Sequence, residues 1–287
     1  MQIAFHTDAF NSVYWNIQQC ARWAEGHGIT RMECGVIGGA AWSQALGYYP
    51  HLSLQDDPRI VARSLGAFGV ELSCLDAAYP LGGLRGATNG VPYVKDAIRW
   101  AYLSGCPRVD TTDGLHEVPG MTDTQVLDLM VLCYQDILGV AQEYGITVLV
   151  EPHGHYTTQP EFMEALLTRL DSPLLGMTMD TGNVFISGHD PVDFCQRFLH
   201  RVRHVHVKDV SESLASMERG LATGIALSPA PIGAGVNAPA IKAVLELLSK
   251  AGYDGVLTLE SDAAGGPVLE RGVAWLTAQL AHLTRTG

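Results

Sequence analysis

Eight short apolar or β-branched runs, separated by longer segments of helical period, constrain this chain more than any other feature. The alternation is that of parallel strands joined by crossover helices. The runs are Gln2 to Phe5, Thr30 to Cys34, Val70 to Leu75, Arg108 to Asp110, Ile146 to Glu151, Leu175 to Asp180, Val202 to Val207 and Gly255 to Glu260. Between them, Thr122 to Gln125 and Thr158 to Glu161 fit the S/T-x-x-E/Q capping box. Asp57-Pro58 and Asp190-Pro191 place a capping carboxylate before a proline at the first helical position. Gly28, Gly145 and Gly252 close helices ahead of the next strand. No linker or shift in composition divides the 287 residues, and the first βα turn lacks a GxGxxG. The expected architecture is therefore one (β/α)8 TIM barrel of the α/β class over residues 1–287, not an open doubly wound sheet.

Composition narrows the function classes. With 47% hydrophobic and 17% charged residues the chain can bury a large core, which excludes a disordered or coiled-coil chain. A net charge of −12 repels phosphate backbones, so no nucleic acid partner is expected. The opening MQIAFHTDAF lacks a basic region before an apolar stretch, and no run reads as a membrane span, which predicts a cytoplasmic protein with no membrane partner. Cys20, Cys34, Cys74, Cys106, Cys133 and Cys195 lie far apart without a CxxC, so they read as reduced core residues. No GxSxG elbow or His-paired cysteine signature is present.

Barrel strands deliver their last inward residue to the C-terminal rim, where catalysis occurs in this architecture. The last four strands end in Val150-Glu151, Met179-Asp180, His204-Val-His206-Val-Lys208 and Leu259-Glu260. Any one of these acids alone reads as a solvated strand end. Glu151, Asp180, His206 and Glu260 together on one arc read as a metal site, because three crowded carboxylates repel one another without a cation. Hard oxygens with a single imidazole suit Mn²⁺, Mg²⁺ or Co²⁺, with Mn²⁺ favoured.

The segments VLVEPHGH (148–155), MTMDTGN (177–183), HVHVKD (204–209), PIGAGV (231–236) and LTLESD (257–262) resemble the sugar phosphate isomerase/epimerase superfamily. These are the xylose isomerase-like barrels that include D-tagatose and D-allulose 3-epimerases, hydroxypyruvate isomerases and inosose dehydratases. The resemblance implies that Glu151, Asp180, His206 and Glu260 are the metal ligands. It also implies that Glu151 and Glu260 are the catalytic acid/base pair, working on either face of an enediolate. Two positions depart from the ketose epimerases: Asn183 stands where they carry a histidine, and Thr157 where they carry a glutamate. The lysine of HVHVKD and the spacing from His206 to Glu260 are closer to the inosose dehydratases.

The expected function is a metal-dependent epimerase or isomerase of an unphosphorylated keto-sugar or polyol ketone. The alternative is a dehydratase or β-eliminase (a lyase) acting on an inosose or 3-keto-glycoside after the same enolisation. An apurinic-endonuclease-like nuclease and a non-catalytic sugar-binding barrel are the remote readings. His153, Asn183, Lys208, His6, Glu33 and Asp110 are the candidate substrate-binding residues. Each also has a plain reading: a rim hydrogen bond for His6, His153, Glu33 or Asp110, a surface cation for Lys208. His155 is a weaker candidate, and His204, one inward step deeper than His206, reads as a core histidine. Tyr14 and Trp15 either stack on a sugar face or simply pack. Pro231 to Gly235 offers backbone N–H groups to a phosphate, and Val210 to Ala234 is long enough for a lid. A homodimer or tetramer is compatible with the resemblance.

Overall fold

The computed structural model describes residues 1–38, 51–113, 116–221, 224–262 and 265–286. Its strands are β1 (Gln2–His6), β2 (Arg31–Ile37), β3 (Leu52–Ser53), β4 (Glu71–Pro80), β5 (Arg108–Thr112), β6 (Thr147–Val150), β7 (Leu175–Asp180), β8 (Val202–Val207) and β9 (Val256–Leu259). All pair in parallel, and β1 bonds to both β2 and β9, so eight of them close a barrel. The ninth, β3, only extends the outer edge of β2, beside Val36 and Ile37.

The helices outside the barrel are α1 (Ile17–Gly26), α2 (Pro58–Gly66), α3 (Val91–Ser104), α4 (Asp123–Tyr144), α5 (Pro160–Leu170), α6 (Thr181–Ile186), α7 (Pro191–Phe198), α8 (Glu212–Glu218), α9 (Ala238–Lys250) and α10 (Gly266–Thr286). Their starts follow local chemistry. Asp57 Oδ1 accepts from the N–H groups of Arg59 and Ile60, and Asp190 Oδ1 from that of Val192. Thr122 and Gln125 form the reciprocal box, as Asn16 and Gln19 do ahead of α1. The Thr158 box does not form: α5 starts at Pro160, and the Thr158 hydroxyl donates back to the Gly154 carbonyl at 2.8 Å. Proline at the first helical position has no N–H to cap, and the cap moves forward by one residue, from Thr158 to Gln159.

Three further expectations change. β2 and β4 run past Cys34 and Leu75, because their continuing residues, Gly35 to Ile37 and Asp76 to Pro80, alternate between half-buried and buried although Gly35, Asp76 and Pro80 read as loop. The stretch after β8 is not wholly irregular, since it holds α8; residues 222 and 223 of that stretch lie outside the described residues. Finally, α4 is long and apolar enough to cross a membrane by length and composition, but half of its apolar window is buried against the barrel. Val126, Met130, Tyr134, Ile137 and Ala141 form its inward stripe, the behaviour of a core helix. All six cysteines are buried free thiols.

Candidate functional site

Register sets the rim. Asp180 lies opposite His206, and His206 opposite Thr258. Glu151 and Glu260 stand one residue past β6 and β9, yet the Glu151 N–H still donates to Thr111 and the Glu260 N–H to Val207, both at 3.1 Å. The two side chains are therefore carried on bonded backbone, which fixes them more precisely than a loop would.

The four expected ligands converge. His206 Nδ1 is 2.9 Å from Glu151 Oε1, 3.1 Å from Glu260 Oε2 and 3.8 Å from Asp180 Oδ2. One ligand atom from each residue fits within a 4.8 Å span, and all four residues are at most 8% exposed. Asp180 divides its oxygens: Oδ1 accepts from the N–H groups of Gly182 and Asn183 at the start of α6, while Oδ2 is buried without a hydrogen bond. Glu260 Oε2 is likewise unbonded. Buried anionic oxygens left without donors, around one imidazole nitrogen, fit a divalent cation with hard ligands.

Burial pushes the Glu151 carboxyl well above its usual range, and Asp110 and Asp180 add to the rise against the pull of His206. Burial acts the same way on Glu260, but Lys208 and His206 outweigh it and hold that carboxyl well below the ordinary range. The two acids are thus driven in opposite directions. Burial opposes protonation of His206, yet the surrounding carboxylates, Glu33 and Glu260 first, raise it well above the usual value.

The other candidates fall into three places. Lys208 is 1% exposed, its Nζ is 2.7 Å from Glu260 Oε1, and Asn183 Nδ2 is 3.4 Å from Glu151 Oε1. The Lys208 stem passes over Gly182, where a Cβ would meet its Cγ at 2.6 Å, so the glycine of MTMDTGN makes room for the lysine of HVHVKD. His153 sits at the rim with Nδ1 3.0 Å from the Thr112 hydroxyl, and burial followed by Lys208 lowers it to about 4, a neutral imidazole. His6 lies across the mouth, its ring 6.2 Å from that of His206. Glu33 and Asp110 are sealed beneath His206, at 0% and 1% exposed. Glu33 Oε2 is 2.7 Å from His204 Nε2 and 3.2 Å from His206 Nε2, and Asp110 accepts from Thr178 at 2.6 Å. His204 is fully buried, as its deeper register implies, and His155 faces Glu117 near the surface.

Two weaker readings change. Trp15 stacks on Phe10 at 4.6 Å and Tyr14 is 82% exposed, so the Trp15 ring is committed to packing. The Pro231 to Gly235 loop is no phosphate cradle: the N–H groups of Gly233 and Gly235 donate to Asp209 Oδ2, and those of Asn237 and Val210 to Oδ1. The carboxylate fills the place an anion would take, and a Cβ on Gly235 would lie 2.4 Å from it.

The model for xylose isomerase-like TIM barrels matches residues 8–279. The chain belongs to that family. Among curated relatives, an inosose dehydratase of Lacticaseibacillus casei is 28% identical over 133 residues, 42% of this chain and 42% of that protein. The match spans less than half of that relative's length. Among solved structures, a D-tagatose 3-epimerase-like protein superposes with a TM-score of 0.78 at 19% identity, over 100% of this barrel and 99% of that chain. An IolI protein with a bound zinc atom gives 0.74 at 12% identity, over 99% of both chains.

Three acids escaped the sequence reading. Asp8 and Asp76 flank His6, and Asp209 organises the loop before α9. Asp76 carried a usable signal: it lies two residues past Cys74 and so points to the same side of β4, but only once the strand is read to its full length.

Proposed function

We propose that this family member is a divalent-metal-dependent enzyme acting on a small, unphosphorylated keto-sugar or polyol ketone, abstracting a proton next to the carbonyl and returning one, a net epimerisation or isomerisation. Glu151, Asp180, His206 and Glu260 would hold the ion, with Mn²⁺, Mg²⁺ or Co²⁺ suited to the donor set. When bound, the ion supplies Lewis-acid polarisation of the carbonyl and a template for the adjacent hydroxyl. Glu260, kept ionised by Lys208 and His206, serves as the base. Glu151, 2.9 Å from the same imidazole, serves as its partner and exchanges the proton from the other side. The observation that carries this reading is the placement of both carboxyl groups within 3.1 Å of the same imidazole nitrogen. Asn183 orients Glu151, and His153 and Lys208 face the reacting region.

A second reading has its own support. Lys208 is a fully buried ammonium 2.7 Å from Glu260, well placed to give a proton to a departing hydroxyl, and the curated relative is named for dehydrating an inosose. That reaction, a lyase step, shares the enolisation and differs in what leaves afterwards.

The test is turnover of inosose, tagatose and allulose by metal-loaded protein in deuterated water. Deuterium at the α-carbon with no unsaturated product supports epimerisation, and an enone or dione absorbance supports elimination. Glu151→Gln and Glu260→Gln should each lower the rate by about 10² to 10⁴. Unchanged turnover in both variants, or none across the panel in metal-loaded protein, would overturn the proposal.

A further inference from the structure

Across the mouth from the carboxylate cluster, His6, Asp8 and Asp76 form a second polar group that the proposed chemistry leaves unused. His6 ends β1 level with Glu33 and is 2% exposed. Its Nδ1 accepts from the Asp8 N–H at 3.2 Å, with Asp8 Oδ1 at 3.5 Å. Nε2 therefore carries a proton whether the ring is neutral or charged. It points at Asp76 Oδ2, 3.7 Å away, too far for a direct hydrogen bond. Asp76 Oδ1 is occupied by the Ala78 N–H at 2.9 Å, and the side chain is 26% open.

A donor and an acceptor held just beyond each other's reach, with the acceptor partly open, fit one group that both accepts and donates. A hydroxyl does so. We infer that His6 Nε2 and Asp76 Oδ2 clamp a hydroxyl of the polyol remote from the reacting carbon, with Asp8 holding the His6 ring in place. This rests on the functional reading above and narrows it to substrates that carry a hydroxyl beyond the reacting carbon, on the side of His6, whose ring lies 6.2 Å from that of His206. The three residues also span a cation-sized gap within 4.8 Å. Metal stoichiometry separates a cation there from a bound hydroxyl.

Asp76→Asn isolates the idea. The amide keeps an oxygen for Ala78 but turns the second acceptor into a donor, so the clamp would present two donors. Metal-loaded protein is titrated calorimetrically with inosose, tagatose and allulose, and the tightest of these is carried into the variant and into its monodeoxy analogues. Asp76→Asn should weaken that ligand tenfold or more. One deoxy analogue should bind wild type equally weakly, and the variant should weaken that analogue no further. Manganese stoichiometry should be one ion per chain in both proteins. Unchanged affinity in Asp76→Asn overturns the clamp alone. A second ion that disappears in the variant overturns it in favour of a cation site. Failure of wild type to bind any of the three sugars overturns the functional reading, and the clamp with it.

Discussion

Replacing Glu33 by glutamine should weaken metal binding without touching a ligand. The three carboxylates of the cluster all approach His206 on its Nδ1 side. A cation there takes the Nδ1 lone pair, so the ring proton belongs on Nε2, whose nearest carboxylate oxygen is Glu33 Oε2 at 3.2 Å. This is the carboxylate–histidine arrangement that fixes tautomer and ring orientation, and losing such a partner costs about 10- to 100-fold in metal affinity, or about 1.4 to 2.7 kcal/mol.

A competing effect has the opposite sign. Glu33 also helps keep His206 protonated, and the proton competes with the ion for Nδ1. The ion carries twice the charge of that proton, so a fixed anion nearby favours the ion, and the net effect of Glu33→Gln is a loss. Because the variant lowers the basicity of His206, the proton competes less in it, and raising the pH relieves wild type more than the variant. The ratio of the two dissociation constants should therefore grow as pH rises. The assay is calorimetric titration of Mn²⁺ into metal-stripped protein at pH 6.5 and 8.5, with circular dichroism to confirm folding and Glu33→Asp as the charge-retaining control. Equal or tighter binding by the folded glutamine variant at both pH values would refute the argument.

Asp180→Asn keeps the oxygen that caps α6 and removes the unbonded one, so Mn²⁺ affinity should fall by more than the hundredfold ceiling of an outer-sphere change, while the metal-free protein melts within a few degrees of wild type. His6 is raised to about 10: burial opposes this, and Asp8 and its neighbours overcome it. A pKa raised in the fold stabilises fully below the unfolded value of about 6.5 and is lost on the way to 10, so urea stability of metal-free protein should fall by up to about 5 kcal/mol across that window, and His6→Gln should flatten the slope. Asp209→Ala strands four backbone donors around the 233–237 loop and should cost about 2 to 4 kcal/mol in urea unfolding, with recovery in Asp209→Asn limited to the oxygen it retains.

The barrel was legible because its evidence is repeated eight times: each β/α unit restates the same alternation, and errors at one boundary do not move the others. The convergence of Glu151, Asp180, His206 and Glu260 was legible because strand ends and parity carry them to one rim. What lay beneath the rim was not. Glu33 and Asp110 read as rim acids, since periodicity gives the side of a strand a residue faces but not its depth, and depth follows from the stagger between neighbouring strands. Here Glu33 Oε2 lies 2.7 Å from the deeper His204 and 3.2 Å from His206 Nε2, fully buried, so Glu33 falls under the imidazole and not beside it. Asp209 was missed for another reason. Its role depends on a loop returning from 24 or more residues away, a contact that no local pattern encodes.

The interior below the site bears on why such a core is kept. Glu33, His204 and Thr258 form a buried hydrogen-bonded column, with the Asp110–Thr178 pair buried beside it, where other barrels place branched hydrocarbons. Removing one charged partner of a buried pair costs about 3 to 5 kcal/mol, whereas replacing the whole set by apolar side chains of similar size is neutral or stabilising by about 1 to 4 kcal/mol. If the column serves stability, the triple variant Glu33→Met, His204→Leu, Thr258→Val should melt below wild type. If it serves to orient His206, the same variant should melt at or above wild type while binding Mn²⁺ more weakly. The second outcome is expected: the three residues replaced touch the proposed metal site through the contact between Glu33 Oε2 and His206 Nε2 at 3.2 Å, so their loss frees the imidazole to turn.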